Sequence, residues 1–185
     1  MKRTFIAVKT KADEKLVKAA SLLHLELQKE LIKWVNLNQI HITLAFLGDT
    51  DDDIIEKVSS MLPENCQNSG MISFTISGLG VFRDINNPRV IWAGIKNYES
   101  LLKLQQLVTS CLVNIGITPE EREFKPHITL GRIKYIKDRN RLKQIISKYD
   151  NTEFQEVKIV ELIYYESILK PEGPIYLPIK QIPLE

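Results

Sequence analysis

The tetrapeptide His41-Ile42-Thr43-Leu44 recurs as His127-Ile128-Thr129-Leu130, 86 positions further along the chain. Each copy lies in an apolar run rich in β-branched residues, Ile40 to Leu47 and His127 to Ile133, and reads as a strand. Alternation along a strand puts the His and Thr of each copy on one face and the intervening Ile on the other. A core face has no use for that pair, because imidazoles and hydroxyls cost free energy when buried without partners. Two such pairs imply a polar cleft. Two imidazoles facing one substrate suit in-line displacement at phosphorus. With an ordinary pKa of about 6.5, one can be neutral and take a proton from water while the other, protonated, gives one to the leaving oxygen. The threonine hydroxyls can donate to the non-bridging oxygens as charge grows on them.

Other chemistries find less support. No G-x-S-x-G occurs, and the two cysteines, Cys66 and Cys111, lie in no nucleophile or CxxC motif. A metal held by His41 and His127 would want a third ligand, and the sequence has no H-x-x-x-H spacing or His/carboxylate cluster. The acids Asp51-Asp52-Asp53 suit a helix N-terminus, where the dipole favours negative charge. His24, the one histidine outside the motifs, sits in a helical pattern and reads as structural or solvent-exposed. There is no P-loop and no G-x-G-x-x-G.

The elements that must position the motifs follow in order. Phe5 to Val8 reads as an opening strand. Asp13 caps a helix with Leu16, Ala20, Leu23, Leu27 and Leu31 on one stripe, ending near Trp34. The first motif strand ends at Gly48, and Thr50-Asp51-Asp52-Asp53 opens a capping-box-like helix that Pro63 stops after Leu62. Ile72 to Ser77 and Val90 to Ile95 are strands joined through a turn or bulged connection, Gly78 to Pro88. A helix runs from about Glu99 to Ile115 and a second motif strand follows. Asp138 caps a helix carrying Leu142, Ile145, Ile146 and Tyr149. Phe154 to Leu169 and Ile175 to Ile182 are strands around the turn Pro171-Glu172-Gly173-Pro174. Each half presents helix, His/Thr strand, helix, which implies two related lobes. The fold class expected is α+β, with mainly antiparallel sheets and outer helices around a central cleft, in one bilobal domain over residues 1–185.

Composition sets the bounds. A chain of 185 residues, 44% hydrophobic and 26% charged, is a globular protein with a sizeable core. The net charge of +2 gives no overall polybasic character, so a nucleic-acid partner must be argued locally. From Arg122 to Lys143 there are eight cations (Arg122, Lys125, Arg132, Lys134, Lys137, Arg139, Arg141 and Lys143) against Glu123 and Asp138. They surround the second motif, either as a solvated face or as a phosphate-binding flank. The apolar run Phe5 to Val8 is too short for a signal peptide and no run of about 20 apolar residues occurs, so a cytoplasmic protein off the membrane is expected. Free thiols suit that compartment.

HITLAFLG and FKPHITLGR resemble the paired H-x-T-x motifs of the two-histidine phosphoesterase superfamily, specifically its RNA 2′,3′-cyclic phosphodiesterases, formerly described as 2′-5′ RNA ligases. The opening F-I-A strand and the G-x-F-R loop at Gly80 to Arg83 extend the resemblance over nearly the whole chain. It implies hydrolysis of a terminal 2′,3′-cyclic phosphate to a 2′-phosphate by a monomer acting on an RNA or oligonucleotide 3′ end, with no metal or cofactor. It implies His41 as proton donor to O3′ and His127 as proton acceptor from water. Thr43 and Thr129 would bind phosphate oxygens, and Arg132, with Lys125 nearby, would add charge to the substrate site. Phe46 matches an aromatic of the first motif and is either core or a base-stacking platform. Simple alternation turns both Arg132 and Phe46 away from the histidines unless the strand bulges, as Gly131 allows in the second copy. The alternatives are a phosphodiesterase or ligase of 2′-5′ linkages or other cyclic nucleotides, a non-catalytic RNA-end-binding module, and a structural protein with two polar strands. If histidines and hydroxyls supply every role, turnover of a 2′,3′-cyclic phosphate end persists in EDTA. Loss in chelator, restored by one divalent ion, contradicts this.

Overall fold

The computed structural model describes residues 1–118, 123–171 and 173–184. Nine strands and four α-helices occur among them: β1 (Lys2–Lys9), α1 (Glu14–Glu26), β2 (Leu31–Trp34), β3 (His41–Thr50), α2 (Asp52–Cys66), β4 (Ile72–Phe82), β5 (Val90–Lys96), α3 (Glu99–Asn114), β6 (His127–Tyr135), α4 (Arg139–Ser147), β7 (Glu153–Ile159), β8 (Glu161–Leu169) and β9 (Pro174–Pro183). They form two sheets, ordered β3-β1-β8-β9 and β2-β6-β5-β4-β7. Every pairing is antiparallel. Read from the motif strands, β3-β1-β8-β9 matches β6-β5-β4-β7, so the sheets share one plan and β2 is an addition outside β6. Helices α2 and α3 pack together, α3 lies against β3 and β4, and one apolar cluster joins both sheets to the helices.

The α+β architecture with two antiparallel sheets is as expected, but the lobes do not follow the halves of the sequence. β8 and β9 join β1 and β3, while β2, β4 and β5 join β6. A second difference is the first helix. Asp13 caps it as expected, its carboxylate accepting from the Leu16 amide at 2.8 Å. It stops at Glu26, however, and Leu31–Trp34 is a strand against β6. The apolar spacing allowed a longer helix, but continuing it would leave the edge of β6 bare, and covering an edge satisfies a row of backbone groups. Acids at the helix end hold the chain there: Glu26 pairs with Arg141, and the Glu30 carboxylate accepts from the amides of Lys137 (2.6 Å) and Asp138 (3.2 Å).

Thr50 belongs to β3, not to a capping box. Asp51 is the N-cap of α2 without a side-chain bond, and Asp52 and Asp53 occupy the first turn. The Thr50 hydroxyl works elsewhere. In a buried relay the Tyr164 hydroxyl donates to Thr4 Oγ1 at 3.1 Å, Thr4 donates to Thr50 Oγ1 at 2.7 Å, and Thr50 donates to the Gly48 carbonyl at 3.0 Å. That relay uses every hydroxyl proton and ties β8, β1 and β3 in register. Pro63 does not stop α2, which continues to Cys66: a proline in the last turn removes only one amide donor, the one that would meet the Ser59 carbonyl. The segment expected to be a loop from Gly78 is still strand to Phe82, with a bulge at Gly78 (φ 69°), and the turn begins at Arg83 (φ 45°). Arg122 and Glu172, named in the basic stretch and the late turn, lie outside the described residues.

In sheet β2-β6-β5-β4-β7 the Trp92 indole lies across two glycines. A Cβ at Gly80 would stand 2.2 Å from Trp92 Cζ2, and one at Gly94 would stand 2.7 Å from the Ser77 carbonyl oxygen. Trp92 in turn abuts Phe82, ring centroids 5.4 Å apart. Gly80→Ala is therefore expected to destabilise the fold by about 1–3 kcal/mol, the usual cost of overpacking, measured by chemical denaturation. An unaltered midpoint would show that the indole is free to move.

Candidate active site

The motif strands β3 and β6 approach one another, and His41, Thr43, His127, Thr129 and Arg132 all line one cleft of about 360 Å³. Its remaining walls are the segment from Lys33 through Asn36, Gln39 and Ile40, and Gly173 to Tyr176 at the start of β9. Alternation delivers each His and Thr to this side, with Ile42 and Ile128 buried beneath.

Both imidazoles are held in the same way. His41 Nδ1 lies 2.9 Å from the carbonyl of Gln39, and His127 Nδ1 lies 2.8 Å from the carbonyl of Lys125. A carbonyl can only accept, so Nδ1 carries the proton in each ring and Nε2 is left for chemistry. Aromatic rings fix the planes. Phe5 and Tyr176 stand 5.1 and 5.0 Å from His41, and Phe82 meets His127 edge to face at 4.6 Å. Among the described residues neither Thr43 nor Thr129 spends its hydroxyl on a protein partner.

The two bulges decide where the residues beyond each threonine go. In β6, Trp92 faces Thr129 but Ile91 faces Gly131, so Leu130 is the extra residue and both Leu130 and Gly131 are buried. The alternation flips, and Arg132 emerges on the histidine side, in the cleft wall. In β3, Ala7 faces Thr43 and Ile6 faces Ala45, with Leu44 extra and both Leu44 and Ala45 buried. Phe46 thus comes to the same face as Thr43, 41% exposed, but outside the cleft walls and under the Arg3 guanidinium, 4.7 Å from its ring centre. Lys125 is likewise outside the walls. Its ammonium pairs with Glu123 at 3.0 Å, and it meets the site through its backbone carbonyl.

Sequence reasoning did not single out Phe5, Tyr176, Lys33 or Trp34. Phe5 could have been found by alternation from the buried Ile6, and Phe82 stood in the G-x-F-R motif without a role. Tyr176 carried no local signal, because only the sheet order brings β9 near β3. His24 stacks on Trp34 at 5.3 Å, a structural place. Neither thiol is among the cleft-lining residues; both are buried, and burial first and Cys111 second push the Cys66 thiol up to about 12.

Residues 5–184 match the AKAP7 2′5′ RNA ligase-like domain family. The chain belongs to this family, one of the two-histidine phosphoesterases. It is 36% identical over 180 residues to an RNA 2′,3′-cyclic phosphodiesterase of Thermotoga maritima, covering 94% of this chain and 91% of the relative. A Methanocaldococcus jannaschii protein of the same name is 35% identical over 81% of the chain and 83% of its own length. The fold is that of TT0787 of Thermus thermophilus (TM-score 0.80, 24% identity, 98% and 97% covered) and of E. coli LigT complexed with 3′-AMP (TM-score 0.72, 20% identity, 99% and 98% covered).

In this 2′5′ RNA ligase-like chain the electrostatics of the two imidazoles differ only in detail. Burial is the largest influence on each and lowers its pKa below the ordinary 6.5, partly offset by the carbonyl bond, which favours the charged ring. The Arg132 cation lowers both further, and His127 adds to the lowering of His41. Were the pair to work as acid and base, it would need one neutral and one protonated ring together, a combination most populated midway between the two macroscopic pKa values of the pair. With both lowered, that midpoint lies on the acid side of 6.5. A bell-shaped kcat/KM profile with its maximum below that pH is expected for the free enzyme, while kcat, measured with a bound anion that favours both charged rings, peaks at higher pH. Arg132→Gln should move the kcat/KM maximum upward; a maximum that stays put would remove the arginine from the electrostatics of the pair.

Proposed function

We propose that this chain hydrolyses the 2′,3′-cyclic phosphate at an RNA 3′ end to a 2′-phosphate, by general acid and base catalysis from His41 and His127. The observation that carries the reading is the pair of cleft imidazoles whose Nδ1 protons are both committed to carbonyls two residues upstream. Relatives named RNA 2′,3′-cyclic phosphodiesterase, at 36% and 35% identity, supply the substrate class.

The chain's own groups account for each proton. His127, neutral, takes a proton from water at Nε2 while the water oxygen attacks phosphorus. The bond from phosphorus to O3′ breaks, and His41, protonated, gives its Nε2 proton to O3′. A 2′-phosphate and a 3′-hydroxyl result, and the two rings exchange protonation states, to be reset through solvent. Thr43 and Thr129 donate to the non-bridging oxygens, whose charge rises in the transition state, and Arg132 adds a cation on the same side. Donors already aimed at that position need little reorganisation, which is where a preorganised site gains over water. Metal-assisted chemistry would need further ligands, and no group of three or more His, Cys, Asp or Glu is gathered among the described residues. In this reading the protein works as a cytoplasmic monomer; none of the described helices is long and apolar enough to cross a membrane.

His41→Ala and His127→Ala should each lower kcat/KM on a cyclic phosphate end by the roughly 10² to 10⁴ typical of a general acid or base, with little change in Tm. A p-nitrophenyl phosphodiester, whose leaving group needs no proton, separates the roles: His41→Ala recovers most of its rate on it and His127→Ala does not. The opposite pattern exchanges the acid and the base. Substrate profiling that finds wild-type turnover of 2′-5′-linked dinucleotides and none of cyclic phosphates would replace the proposed reaction.

A further inference from the structure

Strand β2 is the one strand of its sheet without a counterpart in β3-β1-β8-β9, and it flanks β6 on the His127 side of the cleft. Its polar residue, Lys33, is the direct cross-strand partner of Arg132. Partners in an antiparallel pair point to the same face, and both side chains line the cleft. Two cations placed directly opposite one another are unfavourable unless something offsets them. The Lys33 ammonium reaches across to the turn between β8 and β9, where it donates to the Pro171 carbonyl at 3.3 Å. An ammonium has three donors, and the Pro171 carbonyl takes one of them.

Lys33 stands apart from the reacting centre. His127 and Thr129 lie on β6, and β2 is one strand spacing farther out, about 4.8 Å. The cleft, at about 360 Å³, is larger than a single phosphate group. Resting on the cyclic phosphodiesterase reading, we propose that Lys33 binds the phosphodiester one linkage to the 5′ side of the cyclic phosphate, and so makes the site prefer an RNA end to a mononucleotide. The added strand converts a symmetric two-histidine frame into one with a polarity along the chain of the substrate.

The test compares adenosine 2′,3′-cyclic phosphate, which has no second phosphate, with a dinucleotide that ends in a 2′,3′-cyclic phosphate and has one. For Lys33→Ala the ratio of kcat/KM, dinucleotide over mononucleotide, is expected to fall about tenfold, as for loss of one hydrogen bond to a charged group. The slope of log kcat/KM against log salt for the dinucleotide should also shrink by about 0.7, the share of one phosphate on a single strand. Lys33→Arg, which keeps the charge, should retain most of the ratio. An unchanged ratio for Lys33→Ala, or equal losses on both substrates, overturns the proposal, the second because Lys33 would then act at the reacting phosphate or through packing. A wild type inert on both substrates overturns instead the phosphodiesterase reading on which it stands.

Discussion

Everything in the cleft depends on a single backbone contact made twice. A histidine free to rotate about its side-chain bonds offers two nitrogens in several directions, and its tautomer follows whatever is near. Here the carbonyl two residues upstream, from Gln39 or Lys125, accepts the Nδ1 proton and settles the ring and its tautomer together. Because the acceptor is main chain just before the strand, no second side chain has to be ordered to hold the ring. The same contact favours the charged imidazole and so opposes the burial that lowers both pKa values. One atom thus fixes the position of each ring and bears on its acidity, although burial outweighs it there.

The bulges matter nearly as much. In an unbroken strand the residue three beyond each threonine would face the core, and a guanidinium there would be intolerable. One extra residue after Thr129 turns Arg132 into the cleft, and one after Thr43 turns Phe46 outward. The two copies therefore share a backbone device and differ in what it presents: a cation beside His127, an aromatic ring beyond His41. Two side chains and one added strand make a symmetric frame asymmetric around the cleft.

The motif strands, their shared face and the α+β class could be read from the sequence because they rest on period-two alternation and on residue types that a core would exclude. The helix of α1 was read too long for a definite reason. Leu27 and Leu31 continue the helical spacing, and nothing local says that the edge of β6 needs a partner, although Ile32 and Trp34 already alternate as in a strand. Thr50 looked like a cap because the relay it joins runs to Thr4, 46 residues away, and only through Thr4 to Tyr164. The assignment of β8 and β9 to the first sheet was hidden for the same reason, and with it the placing of Tyr176 beside His41. What stayed illegible was set by contacts distant along the chain, which propensity and spacing do not encode.

The interleaving of the two sheets has a consequence for the order in which the protein can be made. On a ribosome β1 and β3 emerge early and can pair, but the other edge of β1 stays open until β8 has been synthesised, more than 150 residues after β1 began. During that interval the apolar ribbon Phe5 to Val8 has an unpaired flank, a standing invitation to strand addition by another chain. The neighbouring sheet, from β2 through β7, has no such wait, since all its strands precede β8. The half that bears His127 can thus assemble on the nascent chain, whereas the half that bears His41 is completed only when the last two strands arrive. A holdase that shields the growing chain would be most needed by β1.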